Sequence, residues 1–539
     1  MRRADAGRAA QSRRRWIFAG LAAALMLGLL ALALPVLAAG GWSVWEVLIL
    51  LCLLLNLPWM GLAAATGLAG LAIRLRNATQ PAEPDAPVAL CTAVAVCVRS
   101  ETMEEVLPPL GRLMDGLVPH GDRFLLAILS DTSDPAHAAA EEAAVAAFTE
   151  GRPAGSVLYR RRAENTGYKA GNVMDFLDRH AGDFELMVLL DADSEMAPDA
   201  VLRLVRAMQA EPRLAILQHP IAGRPARAAF GRLFNLGHRA GARSWTLGQG
   251  WWQGDEGPFW GHNAILRIAP FRQHCRLDPL PDGSTILSHD HVEAARLHGA
   301  GWVVRVLPDT REDAGGSLES APPHLLAFLA RDRRWAAGNM QYRHLLRDRT
   351  LGPLGRFQMF QALLHYLLAP AWFALLPLAA LNAALDAEGT PRGALIALLL
   401  LGYSALHLPR LGGHLASLLQ AAPGERLAYF RAALSETLFL ILFESITAAH
   451  NTLIVLSHAL GLPHGGWPAQ QRAERRVEWF EAARLLWPHT ALGLGILALL
   501  LASQSGFAIL VGIPAVAGLV LAIPFCVLTA DPGRGREWH

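Results

Sequence analysis

Apolar and polar positions divide this chain into three stretches. Ile17–Ala39 and Val47–Ile73 are almost uninterrupted apolar runs, each long enough to cross a hydrocarbon layer of about 30 Å. Gly40–Trp45 between them reads as a tight turn, with Trp42 and Trp45 at interface depth. From Asn77 to about Arg356 no comparable run occurs. Apolar runs resume at Phe360–Leu385, Ala394–Leu408, Leu434–Leu460, Leu492–Gln504 and Phe507–Leu528. Arg2, Arg3, Arg8, Arg13, Arg14 and Arg15 precede the first run, so the positive-inside bias puts the N-terminus in the cytoplasm. A cleaved signal peptide is the rival reading, disfavoured by the run's length and by the second run close behind it. Arg74 and Arg76 mark the return, and Arg534 and Arg536 put the C-terminus on the same side. Termini on one side require an even number of crossings, whereas seven runs are present. Leu434–Leu460 contains Glu436, Glu444 and His450 and precedes Arg472, Arg475 and Arg476; it is expected to lie along the interface or re-enter. The predicted count is six to eight crossings. The predicted division is 1–76, a tail and two membrane helices; 77–356, a soluble unit entered through a linker at Pro81–Pro87; and 357–539, membrane and interfacial helices.

Within the middle stretch, strand and helix patterns alternate. Leu90–Val98, Phe124–Leu129, Ser156–Tyr159 and Leu186–Leu190 are short continuous apolar runs, the mark of strands buried on both faces. Thr102–Leu117, Pro135–Thr149 and Gly171–His180 have helical spacing between them. Such alternation predicts an α/β fold with an open, doubly wound sheet, whose ligands bind beyond the carboxyl ends of the strands. Two acidic clusters, Ser130–Asp134 and Asp191–Asp193, fall at those ends.

Composition adds three restrictions. The chain has 539 residues, 53% hydrophobic and only 17% charged, as a membrane protein should. A net charge of +2 argues against a nucleic-acid partner. Five cysteines without CxxC spacing or a Cys/His cluster speak against a zinc site or a disulfide framework. Lys169 is the only lysine among 48 basic residues, which draws attention to it.

Four segments carry candidate chemistry. Asp191 and Asp193 flank a small residue directly after a strand; on extended chain both carboxylates would reach one hard cation. A solvated strand-end turn is the plainer reading. Lys169 lies in Glu164–Asn172, a glycine-bearing loop that opens a helix, where backbone N–H groups and one ammonium suit a phosphate. Asp290, in Ser288–His289–Asp290–His291, is either a helix N-cap or a general base. His289 and His291 flank it but are not expected to converge on a metal. In Arg331–Trp335 a guanidinium can hold a diphosphate and an indole can stack on a sugar, or the segment is a juxtamembrane basic patch. Trp251, Trp252 and Phe259–Asn263 add aromatics that suit carbohydrate or a packed core.

The order of these segments resembles that of processive family 2 glycosyltransferases, the group containing cellulose and hyaluronan synthases. ENTGYKAGN, LLDADS, GHNAILR, ILSHDHVEAA and RDRRWAAGN are similar to the subgroup serving osmoregulated periplasmic glucan synthesis in bacteria. SHD in place of TED and RDRRW in place of QxxRW separate the chain from cellulose synthases. The resemblance covers residues about 90–345 and the flanking membrane layout. It implies a cytoplasmic nucleotide-diphospho-sugar transferase domain, its doubly wound sheet mixed, inserted in a transmembrane helix bundle of the bacterial inner membrane. It implies an inverting hexosyltransferase that polymerises glucose from UDP-glucose into a β-glucan backbone, coupled to export. Glu101 and Asp131 would hold the uridine, Lys169, Asp191 and Arg334 the diphosphate, and Asp191 and Asp193 a Mg²⁺ or Mn²⁺ ion. Asp290 would be the base, and Trp335, His262 and Asn263 would bind the acceptor. Implied partners are UDP-glucose, the growing glucan, the lipid bilayer, and an acyl carrier protein or a periplasmic glucan-processing protein. The chain has no counterpart of the long N-terminal extension of some relatives, and CVRSE replaces their proline-containing turn near Glu101. A synthase of another β-polysaccharide and a glycan transporter without enzymatic activity are the alternatives. If the glucan threads outward, His365, Tyr366, Trp372, Glu444 and His450 are candidate lining groups.

Overall fold

The computed structural model describes residues 2–76, 86–182, 184–308, 311, 315–385, 389–462 and 473–533. Most of the Pro81–Pro87 linker, and Arg472, Arg534 and Arg536, lie outside the described residues. The chain begins with two long helices, α1 (Arg2–Leu37) and α2 (Val44–Leu75). Ser43 caps α2 in a capping box with Glu46, which fixes the turn between them. The α/β part follows as β1 (Thr92–Val98), α3 (Met103–Leu117), β2 (Phe124–Ser130), α4 (Pro135–Thr149), β3 (Val157–Arg161), α5 (Tyr168–Arg179) and β4 (Leu186–Asp191). It continues through β5 (Glu195–Met196), α6 (Pro198–Ala210), β6 (Leu214–Gln218), β7 (Ala222–Gly223), α7 (Ala229–Gln253) and β8 (Ala264–Arg267). It ends with α8 (Ile268–His274), α9 (Asp290–Gly299), β9 (Val303–Val306), β10 (Ser317–Glu319) and α10 (Leu325–Gln341).

Seven strands form one sheet in the order β3-β2-β1-β4-β8-β6-β9. β8 runs antiparallel to both neighbours and the other pairs are parallel, so the sheet is mixed. A smaller sheet has the order β5-β10-β7. The period of two in β1 sorts side chains by size. Val94, Val96 and Val98 enter the core under α3 and α6, while Ala93 and Ala95 leave room for Phe176 and Leu177 of α5. The four strands and three helices expected from the sequence are present with ends shifted by a few residues at most. β6, β8 and β9 had no separate expectation, being too short to stand out by pattern.

The remaining helices are α11 (Pro353–Leu367), α12 (Ala369–Leu385), α13 (Arg392–Gln420), α14 (Arg426–Ala459), α15 (Trp479–Ala502), α16 (Gly506–Val520) and α17 (Ala522–Ala530). Six described helical segments are long and apolar enough to cross a membrane, so this is a multi-pass membrane protein. α11 and α12 together make one such segment, and α16 and α17 form a pair bent by 61°. α14 is one unbroken helix of 34 residues, which corrects the expectation of re-entry; among the described residues the break falls in α16–α17 instead. Its acidic groups are partnered within the protein. Glu436 lies 3.0 Å from Arg410 and 2.9 Å from His414, and Glu444 lies 2.9 Å from His407. Of the other candidate lining groups, Tyr366 donates to Asp332 at 2.8 Å, and His450 lies 3.2 Å from the Leu329 carbonyl. Both serve to dock α10 on the bundle.

The two parts interlock at α7, which packs on α2 and α13. The approach is close because Gly70 and Gly248 lack side chains. A Cβ at Gly248 would lie 2.0 Å from the Thr66 carbonyl oxygen, whereas Gly250 faces open space. Trp252 stacks on Phe18 with ring centroids 4.4 Å apart, so this aromatic belongs to the packed seam and not to a carbohydrate surface. Gly248→Ala should therefore destabilise the protein by about 1–3 kcal/mol through overpacking. Thermal unfolding in detergent checks this, with Gly250→Ala as the neutral comparison.

Candidate active site

The carboxyl ends of β1, β2 and β4 lie side by side, with Cys97 opposite Asp191 and Val98 opposite Ser130. Glu101, Asp131 and Asp191 consequently share one edge. Asp131 is buried, and Arg162 just past β3 grips it, Nε to Oδ1 at 2.7 Å and Nη2 to Oδ2 at 2.8 Å. Arg162 also donates to the carbonyls of Thr166 (2.9 Å) and Tyr168 (3.1 Å), which ties the glycine loop to Asp131. Gly167 and Tyr168, with φ of 72° and 50°, turn the chain into α5.

Lys169 then enters the cleft. Its ammonium donates to the Asp191 carboxylate and, at 2.7 Å, to the Gly261 carbonyl. Burial alone would lower its pKa, but the Asp191 charge outweighs that and holds the ammonium above its ordinary value. Gly261 has φ of 82°, and a Cβ there would come 3.4 Å from the Asp290 Cβ. Lys169, Gly261 and Asp290 thus form one contiguous wall.

The extended chain ends at Asp191. Ala192 and Asp193 form a turn closed by Ser194, whose N–H donates to the Asp191 carbonyl at 3.0 Å and whose hydroxyl accepts from the Asp191 N–H at 3.1 Å. This corrects the strand-alternation argument: the turn, not the pleat, orients Asp193. Asp193 instead shares its surroundings with Glu319 and Arg331. Burial raises the Glu319 pKa against the opposing charges of His262 and Arg331, and Asp193 and Asp191 raise it further. His262 Nε2 lies 2.9 Å from Glu319. Asn263 is wholly buried and donates to Ser317 Oγ at 2.9 Å, so it braces β8 to β10 and does not face an acceptor. That corrects its expected role.

Asp290 is the first residue of α9, and the cap position belongs to His289. The N-cap reading of Asp290 is therefore set aside, and the residue lies half-buried beside Gly261. His291 lies 3.2 Å from the Tyr342 hydroxyl while His289 lies 3.0 Å from Glu293, so the two histidines diverge as expected. On α10, Trp335 is 45% exposed and Arg334 partly buried. The buried Arg331 lies under Trp335, its guanidinium 4.5 Å from the ring. Arg162 and Glu319 stand at this edge although motif reading passed over them, while Gly261 and Arg331 lay in segments it named without giving either a role of its own. Arg162 ends a run of three arginines with nothing local to single it out, and Glu319 stands in no recognisable spacing.

Residues 186–410 match glycosyl transferase family group 2, so fold and site define a glycosyltransferase carried on a membrane helix bundle. Glucans biosynthesis glucosyltransferase H of Xanthomonas campestris pv. campestris is 33% identical over 92% of this chain and 81% of its own length. The protein of that name from Pseudomonas putida is 33% identical over 86% of this chain and 56% of its own. The one from Cereibacter sphaeroides is 38% identical over 59% and 54% respectively. The chain belongs to the glucans biosynthesis glucosyltransferase H family.

The His289–Glu293 pair generates a pH prediction. Burial would lower the His289 pKa, yet the Glu293 carboxylate, helped by Asp290, holds it above 6.5. Burial also raises the Glu293 pKa above its ordinary value despite His289, so the pair contributes most between that raised value and pH 6.5 and is lost as pH rises through the raised His289 value. Glu293→Gln should open a gap in melting temperature from wild type that is widest at mildly acidic pH and narrows toward alkaline pH. A gap independent of pH would show that the pair carries no charge.

Proposed function

We propose that the chain is an inverting UDP-glucose-dependent glucosyltransferase that builds the β-glucan backbone of osmoregulated periplasmic glucans at the cytoplasmic face of the bacterial inner membrane. The observation that carries this reading is the Lys169 contact, which joins Asp191 to the Gly261 wall beside Asp290. On this reading a cation for a diphosphate and a carboxylate base stand next to each other along one wall of the cleft. On this reading residues 1–76, 77–356 and 357–539 are the leading membrane helices, the catalytic unit and the trailing membrane helices.

The chemistry follows from those positions. Asp290 takes the proton of an acceptor hydroxyl as that oxygen bonds to the anomeric carbon. The bond to the donor diphosphate breaks on the opposite face, which inverts the centre. Lys169 and Arg334 receive charge on the leaving diphosphate, and Arg162 with Asp131 and Glu101 frames the nucleoside end. Trp335 offers its open face to the acceptor sugar, backed by Arg331. Asp191, paired with Lys169 in this structure, and Asp193 at the following turn would offer hard carboxylate oxygens to a Mg²⁺ or Mn²⁺ ion completed by phosphate oxygens. A divalent ion there would neutralise charge on the departing diphosphate. α10 carries Arg334 and Trp335 and docks through Asp332 on Tyr366 of the bundle, so on this reading the acceptor end of the site adjoins the membrane helices.

Two measurements test the reading. Asp193→Asn should abolish transfer from radiolabelled UDP-glucose in folded, membrane-inserted protein, and EDTA should stop the wild type until Mg²⁺ or Mn²⁺ is restored. Transfer indifferent to chelator would remove the metal from the proposal. Asp290→Asn should lower turnover by about 10²–10⁴-fold with UDP affinity preserved. A parallel loss of affinity would make Asp290 a donor ligand.

A further inference from the structure

The segment that carries Asp290 is held by the end of α10. The Leu287 N–H donates to Gln341 Oε1 at 2.9 Å, and the Tyr342 hydroxyl donates to the Ser288 carbonyl at 3.0 Å. One turn earlier on α10, Gly338 is buried against Ser288. A Cβ at Gly338 would lie 2.1 Å from Ser288 Oγ, 2.9 Å from its Cβ and 3.0 Å from its backbone nitrogen. The hydroxyl could rotate away, but the Cβ and the backbone nitrogen could not, so the whole segment would have to move. Tyr342 is fully buried; burial, with Asp290 nearby, pushes its pKa well above the ordinary value, so it remains a neutral donor. Three residues before Gly338, the same helix presents Trp335 to the cleft.

We infer that Gly338 and Tyr342 are positioning residues: by fixing Ser288 they hold Asp290 at the anomeric carbon, so that the base and the Trp335 platform form one rigid body. The inference deepens the assignment of Asp290 as base and rests on it. A misplacement of about 1 Å in a catalytic group can lower turnover roughly 10²-fold without touching substrate affinity.

The test is steady-state kinetics with UDP binding on the full-length protein in detergent. Gly338→Ala should lower kcat about 10²-fold and leave UDP affinity unchanged. Adding Ser288→Gly, which removes the obstructing Cβ and Oγ, should restore much of that loss. Tyr342→Phe should show the same split with a smaller fall, and it decides the matter alone if Gly338→Ala does not fold. Unchanged kcat in Gly338→Ala, or kcat and affinity falling together without rescue by Ser288→Gly, would leave Gly338 a packing residue and overturn the inference. Asp290→Asn separates the two layers. Full turnover in that variant overturns the base assignment and the positioning with it. An inactive Asp290→Asn beside a normal Gly338→Ala overturns the positioning alone.

Discussion

With the Asp191 carboxylate and the Gly261 carbonyl drawing on one ammonium, Lys169 ties the end of β4 to the wall beside Asp290. The rest of the cleft is arranged around that contact. Asp193, Glu319 and Asp290 add further carboxylates nearby, and without a cation among them the edge would be self-repelling. The loop that delivers Lys169 is held in turn by Arg162, which spans from Asp131 to the carbonyls of Thr166 and Tyr168. A displacement of Arg162 would therefore reach Lys169 and, through it, the Gly261 carbonyl beside Asp290.

The second constraint is mechanical. A catalytic α/β unit resting on a bilayer could slide or tilt, yet here α7 and α10 are built into the helix bundle. α7 meets α2 at glycine-to-backbone distance, and α10 docks through Asp332 on Tyr366 and through the Leu329 carbonyl on His450. Trp335, on α10, is consequently anchored to the membrane helices. On the proposed reading, a glucan end placed there would have its position defined relative to the bilayer as well as to the donor.

Polar groups within the bundle follow the rule that buried charge must be partnered. Glu436 meets Arg410 and His414, and His414 reaches Tyr429 at 3.1 Å. With Glu444 beside His407, both glutamates of α14, which in the sequence argued against a membrane crossing, have partners inside the bundle.

The sequence by itself determined the division into membrane and α/β parts, the first four strands and the acidic strand ends. Long apolar runs and short buried strands leave a local pattern that needs no partner to be read. Lys169, Asp191 and Asp290 were visible for a related reason: a lone lysine, a doublet of carboxylates and an isolated acid stand out against their neighbours. Only the tertiary structure decided that Asp193 leaves the strand in a turn, that Asn263 braces a wall, and that Gly338 makes room for Ser288. It also brought Arg162 to Asp131, and Glu319 and Arg331 to Asp193. Each of these depends on a contact between residues far apart in the chain or on a backbone turn that hydrophobic pattern does not encode. Such placement follows from close packing of elements after folding, where a single absent Cβ or one opposed charge selects the neighbour.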